Sequence, residues 1–218
     1  MKLTIKQSKI GCYQIVEYQD KKFIMDLSTL KPKFYYWGFL PKTVMLEMIE
    51  IEKSNSQFEL DNEKKMSFST AVITIMVQPF VKIGYDLFKN VFVNYDINSQ
   101  IVIKIILFLL SMSIAYFIVL QSLRKAHSKA QILLDKNPGD YKIIFHSNNR
   151  RNPVNSIIFL GNIILFAFYI YINNGVEAGF LVMNCIWSIL LFLASWTMPP
   201  VAHSYQNKYL IFKEISKK

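Results

Sequence analysis

The chain has 218 residues, 52% of them hydrophobic and 15% aromatic, with a formal net charge of +10. A soluble core can absorb that composition, but not uncharged apolar runs of about twenty residues, which this sequence carries. The positive charge does not point to nucleic acid: it sorts into loops as membrane topology requires, and no aromatic-interleaved basic groove accompanies it. The N-terminal residues MKLTIKQSKIGCYQIVEYQ lack an apolar core and a Gly at position 2, so neither a cleaved signal peptide nor a lipid anchor is expected.

Residues 12–27, CYQIVEYQDKKFIMDL, place Ile15 and Val16, then Phe23, Ile24 and Met25, around the polar turn Gln19-Asp20-Lys21-Lys22. That pattern predicts a β-hairpin. The alternation at Met48, Glu50, Ile51 and Glu52 predicts a third strand over 43–52. Together they suggest a small cytoplasmic β-module over 1–66, too small a sheet to be stable alone. Between the strands, KPKFYYWGFLPK (31–42) is a dense aromatic cluster bracketed by lysines and prolines. It is too short to span, and reads either as an interfacial or re-entrant segment or as a folded loop over the β-module.

Four apolar stretches follow, at 68–88, 101–121, 155–173 and 178–198. The first carries Gln78, Pro79, Lys82 and Asp86, and charge parity is its main support. Lys82 and Asp86, four apart, share a helical face and can pair or snorkel to the outer headgroups. In the second stretch Lys104 either snorkels or pairs with a group such as Asp86, and the helix ends at Leu123-Arg124-Lys125. The loop 122–154 contains the turn Asn137-Pro138-Gly139-Asp140, then a short strand at Tyr141–Phe145 that can extend the N-terminal sheet. Arg150 and Arg151 read as topology anchors rather than a phosphate site. The last two stretches form a hairpin turning at Asn173–Glu177, with Gly161, Asn162, Asn184, Cys185 and Ser188 suited to helix contact. The tail 201–218 can supply a further strand.

Charge orients this arrangement. Eleven lysines precede Met66, seven Lys/Arg lie in 122–154 and four lysines follow Pro200, while 90–100 and 174–177 hold none. The positive-inside rule then predicts a membrane all-α bundle (67–200) with four spans, a possible fifth segment at 31–42, and both termini cytoplasmic.

Chemistry is not expected within that bundle. Lys82, Asp86 and Lys104 all fall near the outer surface, and no acidic pair or His-Glu pair shares a helix face. His127, His146 and His203 are not at metal spacing, and Cys12 and Cys185 fall in segments that cannot meet. No phosphate-binding glycine loop occurs, and no inverted repeats with broken helices are present. The expectation is a non-enzyme with no catalytic, cofactor or metal site.

The opening YQIVEYQDKKFIMDL, an aromatic stretch ending Phe39-Leu40-Pro41-Lys42, and then a strand resemble the start of the tandem five-TM family of Gram-positive bacterial membrane proteins, long classed as a domain of unknown function. The run 73–88, ITIMVQPFVKIGYDLF, is similar to that family's apolar run into Arg-Pro-Leu, with Gln78 at the arginine position. The chain departs in that missing arginine and in showing four spans rather than five. The resemblance implies an immunity protein of the bacterial cytoplasmic membrane. Its partners would be the bilayer and a secreted, membrane-depolarising pore-forming toxin of a type VII secretion system, with homo-oligomerisation left open. Partner contacts would then fall on outer groups: Lys82, Asp86, Asp96, Lys104 and Glu177. The rival expectations are a small transporter or channel subunit, lined by Asn162, Asn184, Lys104 and Asp86, and a membrane-anchored regulatory scaffold working through the β-module.

Overall fold

The computed structural model describes residues 3–33, 41–60, 82–134 apart from 84 and 88, 141–148 and 153–217. The chain divides into two compact units. One comprises Met1–Asp61, Val119–Phe159 and Leu191–Lys218; the other comprises Asn62–Ile118 and Leu160–Leu190.

The first unit is organised by a curled, six-stranded antiparallel sheet in the order β1-β2-β3-β4-β5-β6. Its strands are β1 (Thr4–Gln7), β2 (Tyr13–Tyr18), β3 (Lys21–Lys31), β4 (Thr43–Ile51), β5 (Tyr141–Ser147) and β6 (Leu210–Lys217). The β2–β3 hairpin turns on Gln19 and Asp20 alone, with φ of 48° and 61°. Two left-handed residues make the loop type whose twist matches that of the strands it joins. Lys21 and Lys22 therefore belong to the ladder rather than the turn, facing Tyr18 and Glu17. The register of β3 on β4 breaks between Asp26 and Lys31. There the Thr29 hydroxyl stands in for the ladder, donating to the Asp26 carbonyl and accepting from the Glu47 amide.

Both faces of the sheet are covered, so its central strands lack a clean apolar–polar alternation. Val16, Phe23, Met25, Val44, Leu46, Ile143 and Phe145 form one core with Val201 and the flanking Tyr205 of the short helix Val201–Gln206. Ile15, Ile24, Cys12 and Tyr13 form the opposite one with Phe58 and Ala130. The loop after β4 is tied down by Lys22, whose Nζ donates to the Asn55 carbonyl at 2.6 Å and to Glu59 at 2.7 Å.

The long helices are α1 (Ile101–Leu133), α2 (Pro153–Tyr171) and α3 (Glu177–Phe192), the last continuing as π-helix through Leu193–Thr197; Val201–Gln206 is α4. Before them, helical residues occupy described positions of 82–94. α1 runs well past Arg124 and Lys125. Those charges are good reasons to leave a membrane, but Leu, Arg, Lys and Ala are good helix formers, and the backbone does not stop for them.

These observations overturn the expectation of a four-span all-α bundle carrying a minor β-module. The sheet is the organising element, and its strands come from the N-terminal arm, the segment between the helices and the C-terminal tail. Among the described residues, only Ile101–Leu133 and Glu177–Thr197 are long and apolar enough to cross a bilayer, with Ser156–Tyr171 a shorter apolar helix. Hydropathy measured the apolar runs, but the helices do not have the same limits. Pro153 starts α2, while Ile172 and Asn173 fall beyond its end. The expected span 68–88 and the aromatic segment 34–40 lie largely or wholly outside the described residues.

Candidate functional site

In the second unit the five residues expected to meet a partner separate into two groups. Lys82, Asp86 and Asp96 are exposed. Asp96 has a φ of 51° and accepts from the Ser99 hydroxyl, which closes the short turn Ile97–Ser99. No ion pair joins Lys82 or Lys104 to Asp86 among the described residues. Lys104 and Glu177, by contrast, are almost wholly buried.

Lys104 neither snorkels nor meets Asp86. Its Nζ donates to the Ile172 carbonyl at 2.7 Å, to Asn173 Oδ1 at 2.9 Å and to the Ile170 carbonyl at 3.4 Å. These acceptors lie at the C-terminus of α2, where unpaired carbonyls and the helix dipole both favour a cation. The ammonium also stands 5.3 Å from the Tyr169 ring centroid. Glu177 opens α3, accepts from the Asn174 amide at 3.2 Å and acts electrostatically on both Lys104 and Tyr169. Its Oε1 and the Tyr169 hydroxyl are buried without a hydrogen-bond partner among the described residues.

Further along the helices lies a polar seam. Asn162 Nδ2 donates to Asn184 Oδ1 and Ser188 Oγ, both at 3.2 Å. Asn184 Nδ2 donates to Ser111 Oγ at 2.6 Å and to the Phe108 carbonyl at 3.3 Å. Gly161 lets the Trp187 indole lie on the α2 backbone: a Cβ there would sit 2.5–2.9 Å from the ring. Small and amide residues of this kind join helices where no hydrophobic force distinguishes a neighbour from lipid.

The first unit carries a cluster that sequence reasoning missed. Cys12, Asp26 and His127 hold a thiol, a carboxylate and an imidazole whose ligand atoms all lie within 4.8 Å of one another. The strand ladder fixes two of them: Tyr13 faces Asp26, and the Leu27 amide donates to the Cys12 carbonyl at 2.9 Å. The terminal part of α1 brings the third. Asp26 Oδ1 accepts from the Ser28 amide at 2.8 Å and the Ser28 hydroxyl at 2.7 Å; Oδ2 faces His127 Nε2 at 3.5 Å. Ser28 Oγ also lies 3.0 Å from that nitrogen.

This cluster is not a nucleophilic relay. The carboxylate and the hydroxyl both address Nε2, and among the described residues no acid orients the far ring nitrogen as a Ser-His-Asp triad requires. Burial, reinforced by the Asp26 charge, pushes the Cys12 thiol up to about 12. An activated cysteine is shifted the other way. The Tyr13 phenol is raised for the same two reasons. Sequence spacing could not have found the trio, because its members are far apart in the chain and meet only through strand pairing and helix packing.

Between the edge strands β1 and β6 a cavity of about 850 Å³ is lined by Leu3, Ile5, Asn148, Tyr205 and Phe212 among others. It lies between the two edges of the curled sheet, and Lys208 and Tyr205 are the titratable side chains among its described lining. Comparison with protein families, curated proteins and solved structures finds no match to this chain.

Proposed function

We propose that the chain is a protein of the bacterial cytoplasmic membrane, with the apolar faces of α1, α2 and α3 against lipid and its basic segments on the cytoplasmic side. There it neutralises a secreted, membrane-depolarising toxin by binding it within the bilayer. The observation that carries the membrane placement is the outward face of the helices. Only 17% of the most apolar window of α1 and 33% of that of Glu177–Thr197 is buried, whereas the core helix of a soluble protein is mostly covered. Ile106, Leu109, Phe117, Ile163, Phe168 and Ile186 are each about half exposed or more. In water that apolar surface would far exceed what a monomer tolerates.

The immunity role rests on the resemblance of residues 13–42 and 73–88 to the tandem five-TM family. The helical unit is compatible with it: among the described residues Asn162, Asn184, Ser188 and Ser111 bond one another, while apolar residues such as Leu109 and Ile163 face outward. A channel subunit is less well supported, because Asn162 and Asn184 are hydrogen-bonded to each other and to Ser111, and Lys104 to helix carbonyls, rather than lining a path.

Co-expression with the secreted toxins encoded beside this gene, with membrane potential monitored, tests the proposal. Protection from at least one of them is expected. Unchanged depolarisation with every neighbouring toxin, in cells where the protein is found in the membrane fraction, would sink the immunity role while leaving the membrane placement intact.

A further inference from the structure

We propose that Cys12, Asp26 and His127 form a binding site for a divalent d-block cation of zinc's type, which staples the end of α1 to the β2–β3 hairpin. The three side chains supply one sulfur, one oxygen and one nitrogen donor, all within 4.8 Å of one another. Bonds of about 2.0–2.3 Å in a tetrahedron put ligand atoms roughly 3.3–3.8 Å apart. Asp26 Oδ2 and His127 Nε2 already stand at 3.5 Å. The remaining approach is of side-chain size, not backbone size.

The surroundings are those of a built site. Ligating carboxylates and imidazoles are ordinarily held by a ring of hydrogen bonds behind them. Here Ser28 holds Asp26 Oδ1 with both its amide and its hydroxyl, leaving Oδ2 toward His127. Asp26 is the last paired residue before the register of β3 on β4 shifts, and Ser28 lies within the shifted stretch. Such irregularities commonly re-aim side chains at sites. Cys12 is fully buried among Ile15, Ile24 and Phe58, which makes that side of the cluster dry. The His127 side chain is 38% exposed and the Asp26 side chain 18%, which gives a cation its way in.

The donor set selects the cation. Calcium and magnesium require six or more oxygens or near-octahedral oxygen geometry, and a sulfur among three donors suits neither. A mixed sulfur, nitrogen and oxygen set suits zinc, with three protein ligands and a fourth position for water. Binding would cross-link segments remote in sequence, so occupancy should stabilise the sheet unit in proportion to free metal.

The test is a titration of the purified, chelator-stripped full chain in detergent with cobalt(II), followed by displacement with zinc. Saturation at about one equivalent is expected, with tetrahedral d–d bands and a thiolate-to-cobalt charge-transfer absorption that zinc erases. The charge-transfer band persists in Cys185→Ser and disappears in Cys12→Ser. His127→Gln weakens binding at least as strongly as Ser28→Ala, which lowers affinity about 10–100-fold by releasing the carboxylate. His146→Gln has no effect. Absence of a saturable charge-transfer band in the wild type, or a band that survives Cys12→Ser, overturns the proposal. Should Cys12→Ser fail to fold, the wild type and Cys185→Ser decide it between them: a band lost on removing Cys185 would place the metal elsewhere.

Discussion

The two units differ in how much polar and charged surface they bury beside their apolar residues. In the sheet unit the side chains fully withdrawn from solvent are mostly apolar, among them Val16, Met25, Leu30, Val44, Met48, Ile143 and Phe145, with Ser204 a polar exception. In the helical unit Lys104, Glu177, Asn184 and Ser188 are withdrawn as completely, beside Phe92, Tyr169 and Ala178, while Ile106, Leu109, Ile163 and Ile186 face outward. The first is the pattern of a domain stabilised by removing apolar surface from water. The second is the pattern of helices for which apolar surroundings supply no such force, so that hydrogen bonds and close contact hold them. One sequence therefore contains two solutions to packing, and substitutions should distinguish them.

The largest effect is expected in the sheet. Phe145 is fully buried between Tyr205 and Phe212, with ring centroids 5.9 and 6.4 Å away. Phe145→Ala should cost about 3–5 kcal/mol, since the cavity adds to the lost transfer energy. Unfolding of the detergent-solubilised chain followed by tryptophan fluorescence, with limited proteolysis of the sheet segments, would measure it. A cost below about 1 kcal/mol would mean that this core is not what holds the unit together.

A charge on the outer face of α1 puts the contrast itself at risk. Leu109 is 57% exposed. In water Leu109→Lys would be harmless and would improve solubility; at the centre of a bilayer it costs about 3 kcal/mol. The expected result is loss of the protein from the membrane fraction, or its degradation. A soluble, folded Leu109→Lys chain would show that something other than lipid covers these helices.

How far each unit was legible follows from the same difference. The hairpin over 12–27 and the strand over 43–52 were readable from β-branched and aromatic residues around a polar turn and from alternation, the strand at Tyr141–Phe145 from the turn Asn137–Asp140 before it, and the tail only as a segment able to supply a further strand. That the segment at 141–145 and the tail join the N-terminal sheet was expected, but the order β1-β2-β3-β4-β5-β6 and its registers depend on long-range pairing, which local pattern does not encode. β1 was missed because its four residues are mostly exposed and polar. The apolar runs were legible as helices, but their charges misled: Lys104 looks like a residue at a membrane surface until the carbonyls of α2 are brought to it. Asn162, Asn184 and Ser188 were recognisable as helix-contact positions, being the few polar residues in otherwise apolar runs. The Cys12 cluster had no such contrast with its neighbours.

The polar seam should respond less than the core. Asn184→Leu removes the bonds to Asn162, Ser111 and the Phe108 carbonyl. Interhelical hydrogen bonds in membranes average about 0.6 kcal/mol and reach about 1.7, so a total of roughly 1–2 kcal/mol is expected. Resistance of the 101–190 region to proteolysis in detergent provides the measurement. If the loss matches that of Phe145→Ala, the seam is the principal support of the helical unit rather than a supplement to close packing.

The smallest effect belongs to the sheet's surface charges, and its sign is fixed. Lys21 Nζ lies 2.9 Å from Glu50 Oε1. The hydrogen bond from Lys21, with a second from Tyr141, holds the Glu50 carboxyl below the usual range; the same pair raises Lys21. A carboxylate depressed in the fold stabilises above its unfolded value, near 4.3, and that contribution disappears as pH falls through the folded value. Lys21 acts in the opposite sense, contributing below its unfolded value and losing it as pH rises through the folded one. Both groups are largely solvated, so the pair contributes little. Stability of the wild type should therefore exceed that of Glu50→Gln at neutral pH and converge with it in acid. A gap that stays constant from neutral pH into acid would mean that Glu50 acts through packing against Tyr141 rather than through its charge.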